Sequence, residues 1–223
     1  MSEYKIIDVK KTILEDNDAD ADKLRRELKD QKTILINIMS SPGAGKTTTL
    51  CETISRLSDT LKIGVIEADI DSDVDAATIV STGAKAIQVH TGGMCHLDAE
   101  MTRQSLREME STDLDLVFLE NVGNLVCPAE FDTGACENVV ILSVPEGDDK
   151  PLKYPLIFTK CDIALINKCD ALEIFDDFDT KAVEDRIHAL NPNAKVFFVS
   201  AKTGQGFEAW TSYILEKTKN WIN

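Results

Sequence analysis

Long apolar runs are missing from this sequence. No stretch of its 223 residues approaches the ~18 apolar residues that a membrane-spanning helix needs. The opening residues, MSEYKIIDVKK, contain no apolar segment of the kind found in signal peptides. We therefore expect a cytoplasmic protein that has no membrane partner.

Positive charge is also scarce. The chain has 24 Lys and Arg residues against 39 Asp and Glu residues, which gives a net charge of −15. Because DNA, RNA and anionic lipids repel such a surface, we expect no nucleic-acid partner.

Six cysteines and three histidines are present. In a reducing compartment, cysteines are more often buried or bound to metal than paired in disulfides. We interpret four of the cysteines as core or surface residues. They are Cys51, Cys136, Cys161 and Cys169.

The hydrophobic pattern predicts an α/β fold. Seven apolar runs of strand length lack the alternation of half-exposed strands, so we expect them to be buried on both faces. These runs are residues 33–39, 61–69, 85–90, 114–121, 138–144, 162–167 and 194–200. Helical patterns lie between several of them, at 48–57, 97–109, 180–190 and 207–218. Such alternation predicts a mostly parallel central sheet with helices on both faces.

We divide the chain into two parts. Residues 1–32 read as a polar helical extension, with an acidic run at 16–22 and a helical segment, KLRRELK, at 23–29. Residues 33–223 contain every strand and all the motifs described below, and we interpret them as one domain.

The first strand ends in a glycine-rich loop, SSPGAGKT, that matches a phosphate-binding loop except that Ser40 replaces the first glycine. Gly43 and Gly45 let the backbone N–H groups turn toward phosphate oxygens, and the next helix presents its N-terminus there. Lys46 can reach the β- and γ-phosphates, and the Thr47 hydroxyl can bind Mg²⁺. The predicted phosphate-binding residues are Gly43, Ala44, Gly45, Lys46, Thr47 and Thr48.

Two further strands end in carboxylates. Glu120-Asn121-Val122-Gly123 stands where nucleotide-binding domains of this kind usually have Asp-x-x-Gly, so Glu120 replaces the usual Asp. The Glu120 carboxylate can also hold Mg²⁺. Asp69 follows the second strand, and it either ligates Mg²⁺ or orients the attacking water. Asp71, Asp73 and Asp75 resemble the start of a calcium loop, but the later Gly and Glu are missing, so we favour a solvated loop.

The motif that selects the base is Asn167-Lys168-Cys169-Asp170, which follows the sixth strand. The Asp170 carboxylate can accept hydrogen bonds from guanine N1–H and the 2-amino group, a donor pair that adenine lacks. Ser200-Ala201-Lys202 follows the last strand as a second guanine contact. The predicted base-binding residues are Asn167, Lys168, Asp170, Ser200, Ala201 and Lys202. Together with the phosphate loop, they predict a Mg²⁺-dependent GTPase.

Cys95 and His96 open the pattern at 97–109, and Cys127 lies 32 residues after Cys95 in the loop beyond Glu120. Two thiolates and an imidazole suit Zn²⁺ or Ni²⁺. The alternative is a buried free thiol beside a histidine at a helix start.

Three segments closely resemble the hydrogenase maturation nickel-insertion GTPase family, HypB, of the SIMIBI class. They are CHLDA at 95–99, ENVGNLVCP at 120–128 and EGDDKPLKYP at 146–155. The resemblance implies a homodimer that binds GTP and Mg²⁺ and delivers nickel to NiFe hydrogenase, with a hydrogenase maturation accessory protein and the hydrogenase large subunit as partners. It also places an interfacial Ni²⁺ or Zn²⁺ site on Cys95, His96 and Cys127.

A dimer would give two lysines a role. Related ATPases place a lysine early in the phosphate loop to reach the partner's nucleotide, and that position is Ser41 here. Lys150 or Lys153 could instead reach phosphate across a two-fold interface.

The predicted catalytic residues are Lys46, Thr47 and Asp69, and no motif supplies a glutamine to orient water. One alternative is a urease-type maturation GTPase, although such proteins typically have Cys-Pro-His where Cys95 and His96 are adjacent. Another is a metal-binding scaffold whose nucleotide only holds the fold. A translation or signalling G protein has no supporting motif.

Overall fold

The computed structural model describes residues 9–69 and 79–223. Seven strands of this part form one sheet, and each pair of neighbours is parallel. The strands are β1 (Ile34–Ser40), β2 (Ile63–Asp69), β3 (Lys85–His90), β4 (Leu116–Glu120), β5 (Glu137–Ser143), β6 (Ile163–Asn167) and β7 (Lys195–Phe198), in the spatial order β3-β2-β4-β1-β5-β6-β7. Every predicted strand is present, and the predicted fold class is confirmed.

Helices cover both faces of the sheet. The described helices are α1 (Val9–Gln31), α2 (Lys46–Leu57), α3 (Ala99–Glu108), α4 (Cys127–Glu130), α5 (Lys150–Lys153), α6 (Pro155–Lys160), α7 (Thr180–Leu190) and α8 (Phe207–Ile222). Short 3-10 turns lie at Ser111–Asp113, Val144–Glu146 and Cys169–Ala171. In the described residues, no helix is both long and apolar enough to cross a membrane.

The five inner strands β1, β2, β4, β5 and β6 are buried because each face meets helices. The edge strands β3 and β7 are partly exposed, so the prediction that they are buried on both faces was wrong. On one face, Ile36 and Ile38 of β1 pack with Ile54 of α2 and Trp210 of α8. The Trp210 indole donates a hydrogen bond of 2.9 Å to the Thr53 hydroxyl, so the largest buried side chain leaves no polar atom unsatisfied there. In the five inner strands, the unalternating hydrophobic pattern therefore reflects burial on two sides.

The helices differ in extent from their sequence patterns, and for two of them the contacts explain the difference. The pattern at 97–109 becomes α3 only from Ala99, because the Asp98 carboxylate accepts the Met101 N–H at 2.8 Å and caps the helix. Residues 23–29 are part of the longer α1, whose Leu24 and Leu28 are buried in the core. The division between 1–32 and 33–223 remains a prediction, and residues 1–8 lie outside the described residues.

Parallel strands bring their carboxyl ends to one edge of the sheet. The phosphate loop follows β1, Glu120 ends β4, and Asn167 ends β6. Ligands of open α/β sheets bind at this edge. The topology therefore gathers motifs that lie more than a hundred residues apart in the sequence.

Candidate nucleotide and metal site

A cavity of about 600 Å³ opens at this edge, between the phosphate loop and the ends of β2 and β4. Gly43 and Gly45 have positive φ values of 79° and 96°, which glycine adopts without strain. A Cβ at Gly45 would lie 2.6 Å from Asn167 Nδ2, so only glycine fits there. Lys46 opens α2, and its Nζ lies 3.2 Å from Ser40 Oγ. The N-terminus of α2 and the Lys46 ammonium thus make this cavity suitable for phosphate.

Oxygen donors meet on one side of the cavity. The Thr47 hydroxyl donates to Glu120 Oε1 at 3.0 Å, and Glu120 is only 2% exposed. Glu67 of β2 is the parallel-strand partner of Glu120 and lines the same cavity. Hydroxyl and carboxylate oxygens are the ligands that Mg²⁺ prefers, so this donor set fits the predicted cation.

Two predictions concern acidic residues at the end of β2 and in the loop after it. Asp69 is the last residue of β2, but its side chain lies outside the described residues, as do Asp71, Asp73 and Asp75. Glu67 is not among the residues that the sequence motifs predicted for the site. The signal that could have found it is the carboxylate itself, since a charged residue inside a buried apolar strand is expected to be paired or to coordinate a metal.

The base-reading motif closes on the phosphate loop through hydrogen bonds. Asn167 Nδ2 donates to Ala44 O at 2.9 Å, and Asn167 Oδ1 accepts from Ala201 N at 3.3 Å. Lys168 Nζ donates to Gly43 O at 2.7 Å. One buried carboxamide therefore joins three predicted nucleotide-binding segments.

A second cavity of about 300 Å³ lies beside the first and shares Gly45, Thr48 and Lys168 with it. Asp170, Ser200, Ala201 and Lys202 also line it. Asp170 is exposed, and its Oδ1 accepts the Ser200 hydroxyl at 2.6 Å, which fixes the carboxylate toward the cavity. The two adjoining cavities suit a nucleotide with its phosphates in the first and its base in the second.

The three predicted metal ligands lie close together. A hydrogen bond with Cys127, then desolvation, raises the pKa of the Cys95 thiol, and Cys95 Sγ lies 3.9 Å from His96 Nδ1. The His96 ring stacks on Phe131 with centroids 3.8 Å apart, and desolvation lowers the pKa of His96. The neutral imidazole is the form that binds metals.

These thiolate and imidazole donors fit Ni²⁺ or Zn²⁺ by their chemistry. Within the residues that the structure describes, however, no group of three His, Cys, Asp or Glu side chains in one chain is arranged to hold a metal ion. The Asn124 amide donates to Cys127 Sγ at 3.5 Å, which orients this thiol.

Comparison with known proteins supports the interpretation of this sheet edge as a nucleotide site. Residues 33–198 match the family model described as CobW/HypB/UreG, nucleotide-binding domain. Hydrogenase maturation factor HypB from Rhizobium leguminosarum bv. viciae is 46% identical over 214 residues, which span 96% of this chain and 71% of that relative. The chain belongs to the HypB family.

Two solved HypB structures resemble the fold closely. HypB from Archaeoglobus fulgidus is 38% identical and has a TM-score of 0.84, with coverage of 92% of this chain and 100% of that chain. HypB from Helicobacter pylori, solved in complex with nickel, has the same identity and TM-score and covers 92% of this chain and 96% of that chain. Family membership leaves the translation or signalling alternative without support.

Lys150 and Lys153 do not line either cavity. Lys150 Nζ lies 3.8 Å from Glu146 Oε1, and the Ser41 hydroxyl donates to the same carboxylate oxygen. Lys153 pairs with Asp149 at 2.6 Å and remains largely exposed. Their contact with a partner's phosphate stays a prediction.

The four remaining cysteines lie away from the cluster in the described structure. Burial raises the pKa of Cys161 to about 12 and that of Cys136 to about 11. Burial also raises the pKa of Cys169, while Cys51 is half-buried beside the core. Such high pKa values keep the Cys161 and Cys136 thiols protonated and unreactive at neutral pH.

Proposed function

We propose that this chain is a GTP-hydrolysing metallochaperone that assists nickel insertion into NiFe hydrogenase. The observation that carries the proposal is the Asn167–Ala44 hydrogen bond, because it joins the base motif and the phosphate loop in one cleft. The Cys/His cluster lies at the same sheet edge, with Cys127 in the segment that follows Glu120 and with Cys95 and His96 in the loop that follows β3. We infer nickel as the cargo from the names of the relatives and from the nickel bound by the Helicobacter pylori protein.

In this proposal, the protein acts on GTP mainly through positioning and charge. Asp170 accepts from guanine, while Lys46 and the phosphate-loop N–H groups stabilise negative charge on the transferring phosphoryl group. Mg²⁺, held by Thr47 and Glu120, would supply further charge stabilisation when bound. Asp69 is the candidate for orienting the water.

GTP loading would drive homodimerisation. Cys95, His96 and Cys127 would then meet their symmetry mates and complete a site for Ni²⁺ or Zn²⁺, and Lys150 or Lys153 would reach the partner's phosphates. Hydrolysis would separate the chains and release the metal toward a maturation accessory protein and the hydrogenase large subunit. We place this cycle in the cytoplasm.

One observation favours hydrogenase over urease as the target. The family model also covers UreG, but Cys95 and His96 are adjacent here, whereas the urease-type motif is Cys-Pro-His. In the alternative, the chain is a metal-binding scaffold whose nucleotide only holds the fold. Such a scaffold would not release phosphate over many turnovers, whereas an enzyme would.

The test is to size the protein by light scattering with GDP or a slowly hydrolysed GTP analogue, each with and without Ni²⁺ or Zn²⁺. We expect a monomer with GDP and a dimer with the analogue. A parallel assay of phosphate release should show many turnovers per chain with GTP and Mg²⁺. A mass that never changes would contradict the dimer cycle, and a single turnover would favour the scaffold.

A further inference from the structure

Asn121 lies between the two sites. It follows Glu120 at the end of β4, is fully buried and lines the phosphate cavity. Its side-chain Oδ1 accepts two backbone N–H groups, from Val122 at 2.9 Å and from Leu97 at 3.3 Å. Leu97 directly follows His96. One carboxamide oxygen therefore joins the backbone beside the Mg²⁺ carboxylate to the backbone beside the metal-binding histidine.

The rest of Asn121 is fixed to the centre of the sheet. Its backbone N–H donates to Ile38 O at 2.9 Å, and its Nδ2 donates to Asn37 Oδ1 at 3.2 Å. Asn37 Nδ2 in turn donates to Asn138 Oδ1 at 3.0 Å. This amide ladder across three strands holds the Asn121 side chain to the sheet. The two backbone N–H donors fix its oxygen toward the loops, because the Nδ2 end of the carboxamide cannot accept them.

The segment that contains Asn121 also contacts the phosphate loop on both sides. Glu120 accepts from Thr47, and a Cβ at Gly123 would lie 3.2 Å from Pro42. Any rearrangement of the phosphate loop or of its cation therefore acts directly on residues 120–123. Cys127 continues the same segment, whereas Cys95 lies on a separate loop that Asn121 reaches through Leu97.

We propose that Asn121 is a positioning residue that couples the phosphate site to the Cys/His site by holding the Leu97 backbone to the end of β4. When residues 120–123 respond to the nucleotide, Cys127 moves with its own chain segment, and the Asn121 oxygen makes the Cys95–His96 loop follow. Without this bond, the two thiols would respond separately to the nucleotide.

This inference rests on the proposed function, since it requires that the chain binds both nucleotide and nickel. The quantity it concerns is the coupling factor, which is the ratio of the Ni²⁺ dissociation constants with GDP and with a slowly hydrolysed GTP analogue. By linkage, the same factor must appear in the nucleotide affinities with and without Ni²⁺. A role confined to folding would lower stability without changing this ratio.

The test variant is Asn121→Leu, which keeps the approximate shape and removes the acceptor. Asn121→Ala is a second variant for the case in which leucine prevents folding. Asn37→Leu is the matched control, because it removes a buried amide from the same ladder but leaves the bond from Leu97 to Asn121 in place. Each protein is titrated with Ni²⁺ in both nucleotide states, and hydrogen exchange at the Leu97 amide is followed without metal.

We expect wild type and Asn37→Leu to show a coupling factor of about 5 or more, the lower range of typical allosteric coupling. In the Asn121 variants the factor should approach 1, and the Leu97 amide should exchange faster. A wild-type factor that persists in both Asn121 variants, or that is lost equally in Asn37→Leu, would overturn the positioning role alone. A wild-type factor of 1 would overturn both this role and the coupled cycle proposed above.

Discussion

The base-reading turn and the Cys/His loops lie at the same edge of the sheet, but hydrogen bonds hold them to different extents. At the base end, Asn167 and Ser200 are buried and bonded within the chain. At the metal end, Cys95 and Cys127 are half-buried, and the apolar side chains next to them, Met94 and Val126, are 46% and 51% exposed.

This difference suggests how each end works. A base pocket whose polar groups are already oriented can select guanine without rearrangement, because the ordering cost is met in folding. Exposed apolar side chains beside thiols suit a surface that another chain covers. We therefore expect the nucleotide end to be complete in one chain and the metal end to depend on a second.

The largest expected effect is at the nucleotide end. Lys46→Ala should lower the GTP turnover rate by about 100-fold to 1,000-fold, the loss typical when one charge-stabilising group is removed from a transition state. The measurement is multiple-turnover phosphate release with GTP and Mg²⁺. Lys181→Ala, an exposed lysine paired with Asp185 on α7, is the control and should turn over normally. Equal rates in both variants would remove the phosphate-loop assignment.

A smaller effect is expected at the base. Asp170→Asn should weaken GTP binding by about 100-fold, since two bonds to a charged acceptor together contribute at least ~3 kcal/mol. Preference should shift to xanthosine triphosphate, whose base presents an acceptor where guanine presents the amino group. The asparagine oxygen can still accept a hydrogen bond from the Ser200 hydroxyl, so we expect the variant to fold.

Calorimetric titration of each nucleotide into the Asp170→Asn protein measures this preference. Asp176→Asn, on the exposed loop that follows, is the matched control and should bind GTP as wild type does. An unchanged preference for GTP in the Asp170 variant would show that this turn does not read the base.

Substitutions at the Cys/His cluster should have the smallest effect on nucleotide binding. Cys95→Ala combined with Cys127→Ala should lower the Ni²⁺ and Zn²⁺ stoichiometry measured by equilibrium dialysis. GDP affinity without metal should stay within about twofold, because neither thiol lines the two cavities and linkage between the sites requires bound metal. Cys136→Ala, which removes a thiol outside the cluster, should keep the metal stoichiometry. Equal metal binding in the double variant would disprove the cluster.

Much of the fold followed from local sequence. Apolar runs predicted all seven strands, since strands covered by helices consist mainly of apolar residues, with buried polar exceptions such as Asn37 and Glu67. The start of α3 and the extent of α1 did not follow as directly. Asp98 sets the first by capping, and the second depends on Leu24 and Leu28 docking on the core.

The candidate site was predictable where one short segment contains the chemistry. The phosphate loop and the Asn-Lys-x-Asp turn are such segments, because their function depends on backbone shape and neighbouring side chains. Glu67 and Asn121 escaped sequence reasoning, since each gains its position from a strand or loop elsewhere in the chain. The assigned roles of the site residues stay predictions until the variants above are measured.

The sequence by itself determined the strand and helix pattern, the phosphate loop and the guanine motif, because these depend on residue type and local spacing. Only the tertiary structure decided that Glu67 lies beside Glu120, that His96 stacks on Phe131 and that Asn121 joins two loops. Those contacts depend on strand order and register, which arise when the apolar faces of distant segments pack into one core.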